Sequence, residues 1–168
     1  NQLITMPLSG ICQGGQPLIS YNYGAKKLNR VKEAFFCQFG ICVIYTTCFW
    51  IGLMAFPNMF AGIFTNDTAL VDYTAWALRI FLACGFSVGF QISCQQAFMA
   101  LGQAKISLFM ACLRKLILLI PLIFILPNFF RDQAMAVFLA EPVSDFIAAA
   151  ATTTAFFVFF RRLMRQEK

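Results

Sequence analysis

The chain has 168 residues, of which 60% are hydrophobic and 12% are charged, and it contains no histidine. A soluble domain averages about 45–50% apolar and about 25% charged residues, so this composition indicates a protein embedded in lipid. The formal net charge of +6 would suit a nucleic-acid-binding protein. The positions of the basic residues instead fit the orientation of a membrane protein, and we expect no nucleic-acid partner.

Seven cysteines lie almost wholly within apolar stretches, at positions 12, 37, 42, 48, 84, 94 and 112. None forms a C-x-x-C pair, and an odd count without histidine disfavours both a zinc site and a disulfide framework. We interpret them as small apolar side chains in the protein interior and predict no metal and no cofactor.

The chain also starts without a signal-peptide pattern, and we interpret it as a fragment whose beginning is missing.

The first part of the chain, residues 1–19, is moderately apolar and rich in glycine and proline. We predict that it is the end of a membrane span. Gly10 and Gly14 form a G-x-x-x-G motif, which lets two helix backbones approach closely in a membrane. Residues 20–34 are polar and basic, which predicts a loop leading into a short amphipathic helix. Contact with lipid head groups is the alternative to a purely solvated loop.

Four longer apolar stretches follow, and each is long enough for a complete transmembrane helix, because about 20 residues cross the ~30 Å hydrocarbon core. They are residues 34–56, 80–101, 106–126 and 134–160. The predicted fold class is therefore all-α. It is a polytopic membrane helix bundle with four complete transmembrane helices and part of a fifth.

The basic residues collect on one side of the predicted membrane. Alternating crossings place residues 20–33, 102–105 and 161–168 on one face, and these segments hold four, one and four of the 13 Lys and Arg residues. The other face has Arg131, with Arg79 at its rim. By the positive-inside rule the basic face is cytoplasmic. The segment 161–168 is then a cytoplasmic C-terminal tail.

The span predicted over residues 80–101 carries a small residue at every fourth position: Gly85, Gly89, Ser93 and Ala97. This spacing predicts a smooth ridge that packs tightly against a neighbouring helix. Gln91 and Gln95 lie on roughly the opposite face, and Gln96 lies near the ridge. An unpaired amide in lipid costs several kcal/mol. The glutamines therefore either line a polar cavity or form hydrogen bonds between helices, and the sequence leaves both open.

The last two predicted spans hold four charged residues. At a rise of 1.5 Å per residue, Arg114 and Lys115 lie about 12–14 Å from the inner end of their helix. Glu141 and Asp145 share a face of the final helix and lie about 10 and 16 Å from its outer end. In a core of ~30 Å, Asp145 is then level with Arg114 and Lys115. Glu141 lies about 6 Å higher, where we expect no cation.

Two interpretations of these charges remain open. In the first, Asp145 neutralises Arg114 or Lys115 and holds the two helices together. In the second, Glu141 is a carboxylate whose protonation is coupled to transport, because burial disfavours the charged form of a carboxyl group. Pro142 favours the second interpretation, since it removes a backbone hydrogen bond and can bend the helix.

Four separated blocks of the sequence resemble the multidrug and toxic compound extrusion (MATE) family, in the family's order. They are QGGQPLISYNYGAKKLNRVKEAF (13–35), QQAFMALGQAKISL (95–108), RKLILLIPLIFILP (114–127) and AEPVSD (140–145). The resemblance implies a twelve-helix antiporter of two six-helix lobes that exports lipophilic drugs and organic cations by alternating access, in exchange for H⁺ or Na⁺. It implies that this chain runs from the end of helix 8 through helix 12, most of the C-terminal lobe.

The same resemblance implies a multi-pass protein of the bacterial plasma (inner) membrane. Its partners would be the lipid bilayer, the missing N-terminal lobe and small lipophilic or cationic substrates. Some members of the family bind a cation through an acidic residue in helix 10, whereas residues 80–101 contain none, so the driving ion stays open. We expect no enzyme, because the chain lacks a nucleophile–base pair, and we expect the fragment alone to be inactive. A structural or channel-like membrane subunit is the alternative.

Overall fold

The computed structural model of the chain describes residues 2–57, 59, 68–126 and 133–165. The described residues form six helices: α1 (Gln2–Gly24), α2 (Leu28–Ala55), α3 (Thr68–Phe81), α4 (Ser87–Ala100), α5 (Ala104–Ile125) and α6 (Gln133–Arg165). Helix α5 contains a π-helical segment, Leu113–Leu119. Arg131, which the sequence places in a loop, lies outside the described residues.

The predicted all-α membrane fold is confirmed, although the helix boundaries differ from the predicted ones. By length and composition, three stretches among the described residues suit a membrane crossing: α2, α5 and the part of α6 from Phe138 to Arg165. The final helix continues beyond the predicted end of its span, through the basic residues to Arg165. The first and last described helices are therefore both longer than the apolar runs that predicted them.

The connection between α1 and α2 is much shorter than the predicted polar loop. Residues 20–24 belong to α1 and residues 28–34 to α2, so only three residues join the helices. Lys26 has a φ of 57°, in the left-handed region. The amide of Lys27 donates to the carbonyl of Asn22 at 2.9 Å, which satisfies one of the free carbonyls at the end of α1.

The stretch predicted as one span over residues 80–101 is interrupted. Helix α3 ends at Phe81 and α4 begins at Ser87, so neither is long enough to cross a bilayer alone. The indole Nε1 of Trp50 donates to the carbonyl of Leu82 at 2.8 Å. The same carbonyl also accepts from the amide of Gly85 at 2.9 Å, so the bond from Trp50 is an additional contact that ties the break to α2.

Two clusters of apolar side chains hold the bundle together. One joins α1, α2, α4 and α6 at the basic end of the molecule and is rich in aromatic rings, including Phe35, Phe98 and Phe156. The other joins α1, α2 and α4 through Leu8, Cys12, Cys42 and Val88.

All seven cysteines are free, and the sulfurs of Cys12 and Cys42 are 3.6 Å apart. Cys37 and Cys48 are exposed, so the prediction of interior cysteines fails for these two.

The predicted ridge of small residues is present and buried. A Cβ atom added at Gly89 would collide with the hydroxyl of Thr46 and would lie 3.1 Å from the carbonyl oxygen of Cys42. The motif of Gly10 and Gly14 behaves differently, because no atom lies within 4 Å of a Cβ at either position. The close approach in α1 occurs instead at Gly15, where an added Cβ would collide with the amide of Gln38.

The contact between α4 and α2 predicts that Gly89→Ala destabilises the protein. The Thr46 hydroxyl cannot easily turn away, since it donates to the Cys42 carbonyl at 2.8 Å. Overpacking of this kind costs about 1–3 kcal/mol, which we expect to appear as a lower thermal unfolding temperature of the detergent-purified protein. Gly40→Ala is the matched control, because a Cβ there meets no atom within 4 Å. Equal stability of the two variants would contradict the close approach.

Candidate functional site

The charged residues of the last two helices form a short intramembrane array. Arg114 Nε donates to Asp145 Oδ1 at 2.6 Å, and the two side chains are only 16% and 10% exposed. The contact between Arg114 and Asp145, which their similar predicted depths in the membrane allow, is thus present. A charge-assisted bond this short is among the stronger polar contacts in proteins, and in a low-dielectric interior it keeps both charges compensated.

Glu141 has a cation beside it, contrary to the expectation from helical depth. Lys115 Nζ lies 3.5 Å from Glu141 Oε1. Helical depth gives only the heights of the backbone positions, and the long side chain of a lysine spans the remaining height. This pair is longer than the first, and its lysine is 57% exposed whereas the glutamate is 14% exposed. Glu141 is therefore a mostly buried carboxylate with a weakly held partner.

The π-helical segment explains how two adjacent cations reach the same neighbouring helix. A π turn contains more residues than an α turn, so successive side chains diverge by a smaller angle. Arg114 and Lys115 both lie in this segment and both contact α6. The hydroxyl of Ser144 donates to the backbone carbonyl of Arg114 at 3.0 Å, which adds a third polar contact between the helices. Pro121, which has no N–H to donate, follows shortly after the segment.

Helix α6 continues without interruption through Pro142. The carboxylates therefore lie on a continuous helix, one turn apart and on the same face. Pro142 itself is buried. Its missing N–H removes one backbone hydrogen bond close to the two acids.

The three glutamines of α4 lie in different environments. Gln95 Nε2 is 3.5 Å from the backbone carbonyl oxygen of Ser107 in α5. The Ser107 hydroxyl donates to the backbone carbonyl of Gln95 at 3.3 Å. Gln91 is 1% exposed, and neither atom of its amide has a hydrogen-bond partner among the described residues. Gln96 is half-buried. Only Gln95 thus fits the interhelical hydrogen bond that the sequence offered as one alternative.

Other polar groups accumulate inside the bundle, where the sequence predicted no site. The hydroxyl of Thr152 is buried and has no hydrogen-bond partner among the described residues, whereas the buried hydroxyls of Ser93 and Thr153 face the thiols of Cys42 and Cys94. Buried polar groups in a membrane protein are costly unless they are paired or face water. Three consecutive threonines inside an otherwise apolar span are a signal that could have identified this part of α6.

A cavity of about 240 Å³ lies between the beginning of α4 and the middle of α6. Three phenylalanines and three hydroxyl side chains line most of it: Phe86, Phe90, Phe146, Ser87, Thr153 and Thr154. None of the predicted glutamines lines it. Phe146 directly follows Asp145 in the chain, although neither Asp145 nor Arg114 lines the cavity. Aromatic faces of this kind attract cations and pack on apolar rings.

The model of the MatE family matches residues 1–125 of this chain. The chain belongs to the MatE family. The match covers α1 to α5 and stops before α6, so Arg114 and Lys115 lie inside it whereas Glu141 and Asp145 lie beyond it. The fold identified from the helices is thus that of a polytopic helical membrane transporter.

Curated relatives in this family are multidrug export proteins of staphylococci. The multidrug export protein MepA of Staphylococcus aureus (strain N315) is 31% identical over 124 residues, which is 73% of this chain and 27% of the relative. MepA of Staphylococcus saprophyticus is 27% identical over 123 residues, with the same coverage. The chain therefore spans about a quarter of the length of the curated relatives it matches.

Solved structures extend the similarity to almost all of the chain. The MATE multidrug transporter DinF-BH matches with a TM-score of 0.84 and 32% identity. This match covers 92% of our chain and 34% of DinF-BH. An inward-facing multidrug resistance MATE family transporter of the MOP superfamily matches 99% of our chain and 39% of its own, with a TM-score of 0.89. At 16% identity, it supports the fold alone.

The ion-pair geometry predicts that Asp145→Asn is strongly destabilising. Removing one partner of a buried pair costs about 3–5 kcal/mol, because the other charge is left uncompensated. Thermal unfolding of the whole purified protein should show the loss, and adding Arg114→Gln should restore part of it. Lys115→Gln is the control, since pairs with such exposure contribute only about 0–1 kcal/mol. Equal effects of Asp145→Asn and Lys115→Gln would contradict this assignment of the stronger pair.

Proposed function

We propose that this chain is part of a multidrug efflux transporter that exports lipophilic and cationic small molecules in exchange for H⁺ or Na⁺. One observation carries the proposal: two mostly buried carboxylates lie within the membrane on α6, and the same helix forms an aromatic cavity with α4. Ionisable residues inside a membrane bundle commonly mark ion and substrate pathways. Membership of the MatE family and the relatives named as multidrug export proteins support the same function.

The cavity between α4 and α6 supplies the substrate contacts in this proposal. Its phenylalanine rings suit flat, delocalised cations, through stacking and cation–π attraction. Its hydroxyl groups offer hydrogen bonds to polar substituents. A complete small-molecule site usually encloses about 300–1,000 Å³, so a cavity of about 240 Å³ is one wall of the proposed site. In this proposal a second lobe, outside this chain, provides the opposite wall.

The two acidic residues have different roles in this proposal. Asp145 holds α5 against α6 through its short bond to Arg114. Glu141 exchanges the coupling ion, because its contact with the exposed Lys115 is long and can be released without leaving a buried cation behind. Movement of α6 between the two access states would change whether Glu141 faces water or protein. Exchange of H⁺ or Na⁺ at Glu141 would then bias the two states.

The proposed orientation places the end of α6 in the cytoplasm of a bacterium. Arg161, Arg162 and Arg165 follow directly after the apolar part of this helix, and the connection between α1 and α2 at the same end of the bundle is also basic. The positive-inside rule assigns such an end to the cytoplasm. A purely structural subunit is the second candidate, favoured by the ion pair between Arg114 and Asp145, which needs no transport to explain it.

Efflux of a fluorescent cation tests the proposed function directly. Cells or inverted vesicles carrying the complete protein should transport ethidium when a proton or sodium gradient is imposed, and transport should stop when the gradient is collapsed. The two ions are applied separately, so the experiment also identifies the driving ion. Absence of ion-dependent ethidium transport, with the protein present in the membrane, would favour the structural subunit.

Within that assay, we expect Glu141→Gln to abolish the ion-dependent part of ethidium efflux. The amide keeps the size of the side chain but can neither exchange a proton nor balance a sodium ion. Lys115→Gln is the control, since it removes the cation and leaves the carboxylate in place, and it should retain ion-dependent efflux. Wild-type efflux by correctly inserted Glu141→Gln protein would exclude Glu141 as the coupling residue.

A further inference from the structure

A second cavity, of about 520 Å³, lies at the basic end of the bundle, between the beginning of α2 and the end of α6. Lys32 extends into its lining from α2, and Arg161 and Arg165 do so from α6. All three side chains are exposed. The cavity lies toward the opposite end of α6 from Glu141, and no step of the proposed transport cycle uses it.

The charged residues in the lining of this cavity are all positive. Glu33, the acidic neighbour of Lys32, lines a different cavity together with Arg30. Arg162, the neighbour of Arg161, is outside the lining as well. Three cations thus converge on one space without an acidic partner among the described residues of its lining. Such a space disfavours the cationic substrates of an exporter and suits an anion.

The inner wall of the cavity is aromatic and anchored in the core. Phe36 is 43% exposed and its ring centroid lies 6.4 Å from that of Phe157. Phe160 is buried and stacks on Phe156 at 5.4 Å. The wall is therefore an apolar surface that runs from the cationic rim toward the middle of the membrane helices.

We propose that this cavity binds an anionic phospholipid of the bilayer. Arg161 and Arg165 would hold the phosphate group, because guanidinium groups bind phosphate oxygens in a bidentate manner, and Lys32 would complete the charge from α2. An acyl chain would lie along Phe36 and Phe157. Basic spaces between transmembrane helices at one membrane surface are established head-group sites in other proteins. A free anion would leave the aromatic wall without a partner.

Lipid retention by the complete protein tests this site without any measurement of drug export. The protein is placed in nanodiscs that contain equal amounts of phosphatidylglycerol and phosphatidylcholine, and retained lipid is counted by native mass spectrometry. We expect the wild type to retain phosphatidylglycerol preferentially. For Arg161→Gln we expect roughly fivefold weaker retention, the usual effect of one basic residue near an anionic surface. Both leaflets are present, so the result does not depend on topology.

Arg162→Gln is the matched control, because it removes the same charge from the adjacent position outside the cavity. It should retain phosphatidylglycerol as the wild type does. Equal loss in Arg161→Gln and Arg162→Gln, or no preference in the wild type, would overturn the proposal. Lys32→Gln, with Arg30→Gln as its control, repeats the comparison on α2 if Arg161→Gln does not fold. Displacement of the lipid by millimolar inorganic phosphate would also overturn it, since the phosphate ion has no acyl chain.

Discussion

The ion pair between Arg114 and Asp145 is the contact on which the arrangement of the last two helices depends. None of the residues in the most apolar stretch of α5 is buried within the described part of the chain. In lipid there is little hydrophobic gain from bringing two apolar helices together. The free energy of association therefore has to come from polar contacts and close packing. Helix α5 obtains them from α6 through Arg114, Lys115 and the backbone carbonyl that Ser144 contacts. The π-helical segment brings these three contacts onto one side.

Much of this architecture follows from simple regularities of membrane helices. Hydropathy predicted the helical fold, and the spacing of small residues predicted the buried ridge at Gly89, since both depend only on neighbouring positions in one helix. Depth at 1.5 Å per residue placed Arg114 level with Asp145, and the two side chains form an ion pair. The prediction of no cation beside Glu141 was wrong, because the lysine side chain reaches beyond the height of its own backbone.

The features that the sequence did not reveal depend on contacts between distant residues. The break between α3 and α4 is stabilised by the indole of Trp50, 32 positions from the carbonyl that it contacts, and hydropathy carries no information about such a bond. Gly15 rather than the motif of Gly10 and Gly14 makes the close approach in α1, because the position of Gln38 on α2 decides which glycine is crowded. The aromatic cavity was missed for the same reason, since it combines Phe90 of α4 with Phe146 of α6.

Helix α6 connects the separate parts of the molecule, because its residues contact each of them in turn. The acids face α5, Phe146 and the threonines form the cavity with α4, and the aromatic residues near its end pack in the core with α1, α2 and α4. Asp145 and Phe146 are adjacent on this continuous helix, so a displacement that alters the pair with Arg114 also moves a wall of the cavity. The ion pair and the shape of the cavity are thereby connected through two adjacent residues of one helix. In the proposed transport cycle, an ion exchanged at Glu141 on the same helix would act on the cavity through this connection, because an ion shifts a conformational equilibrium when its site differs between the two states.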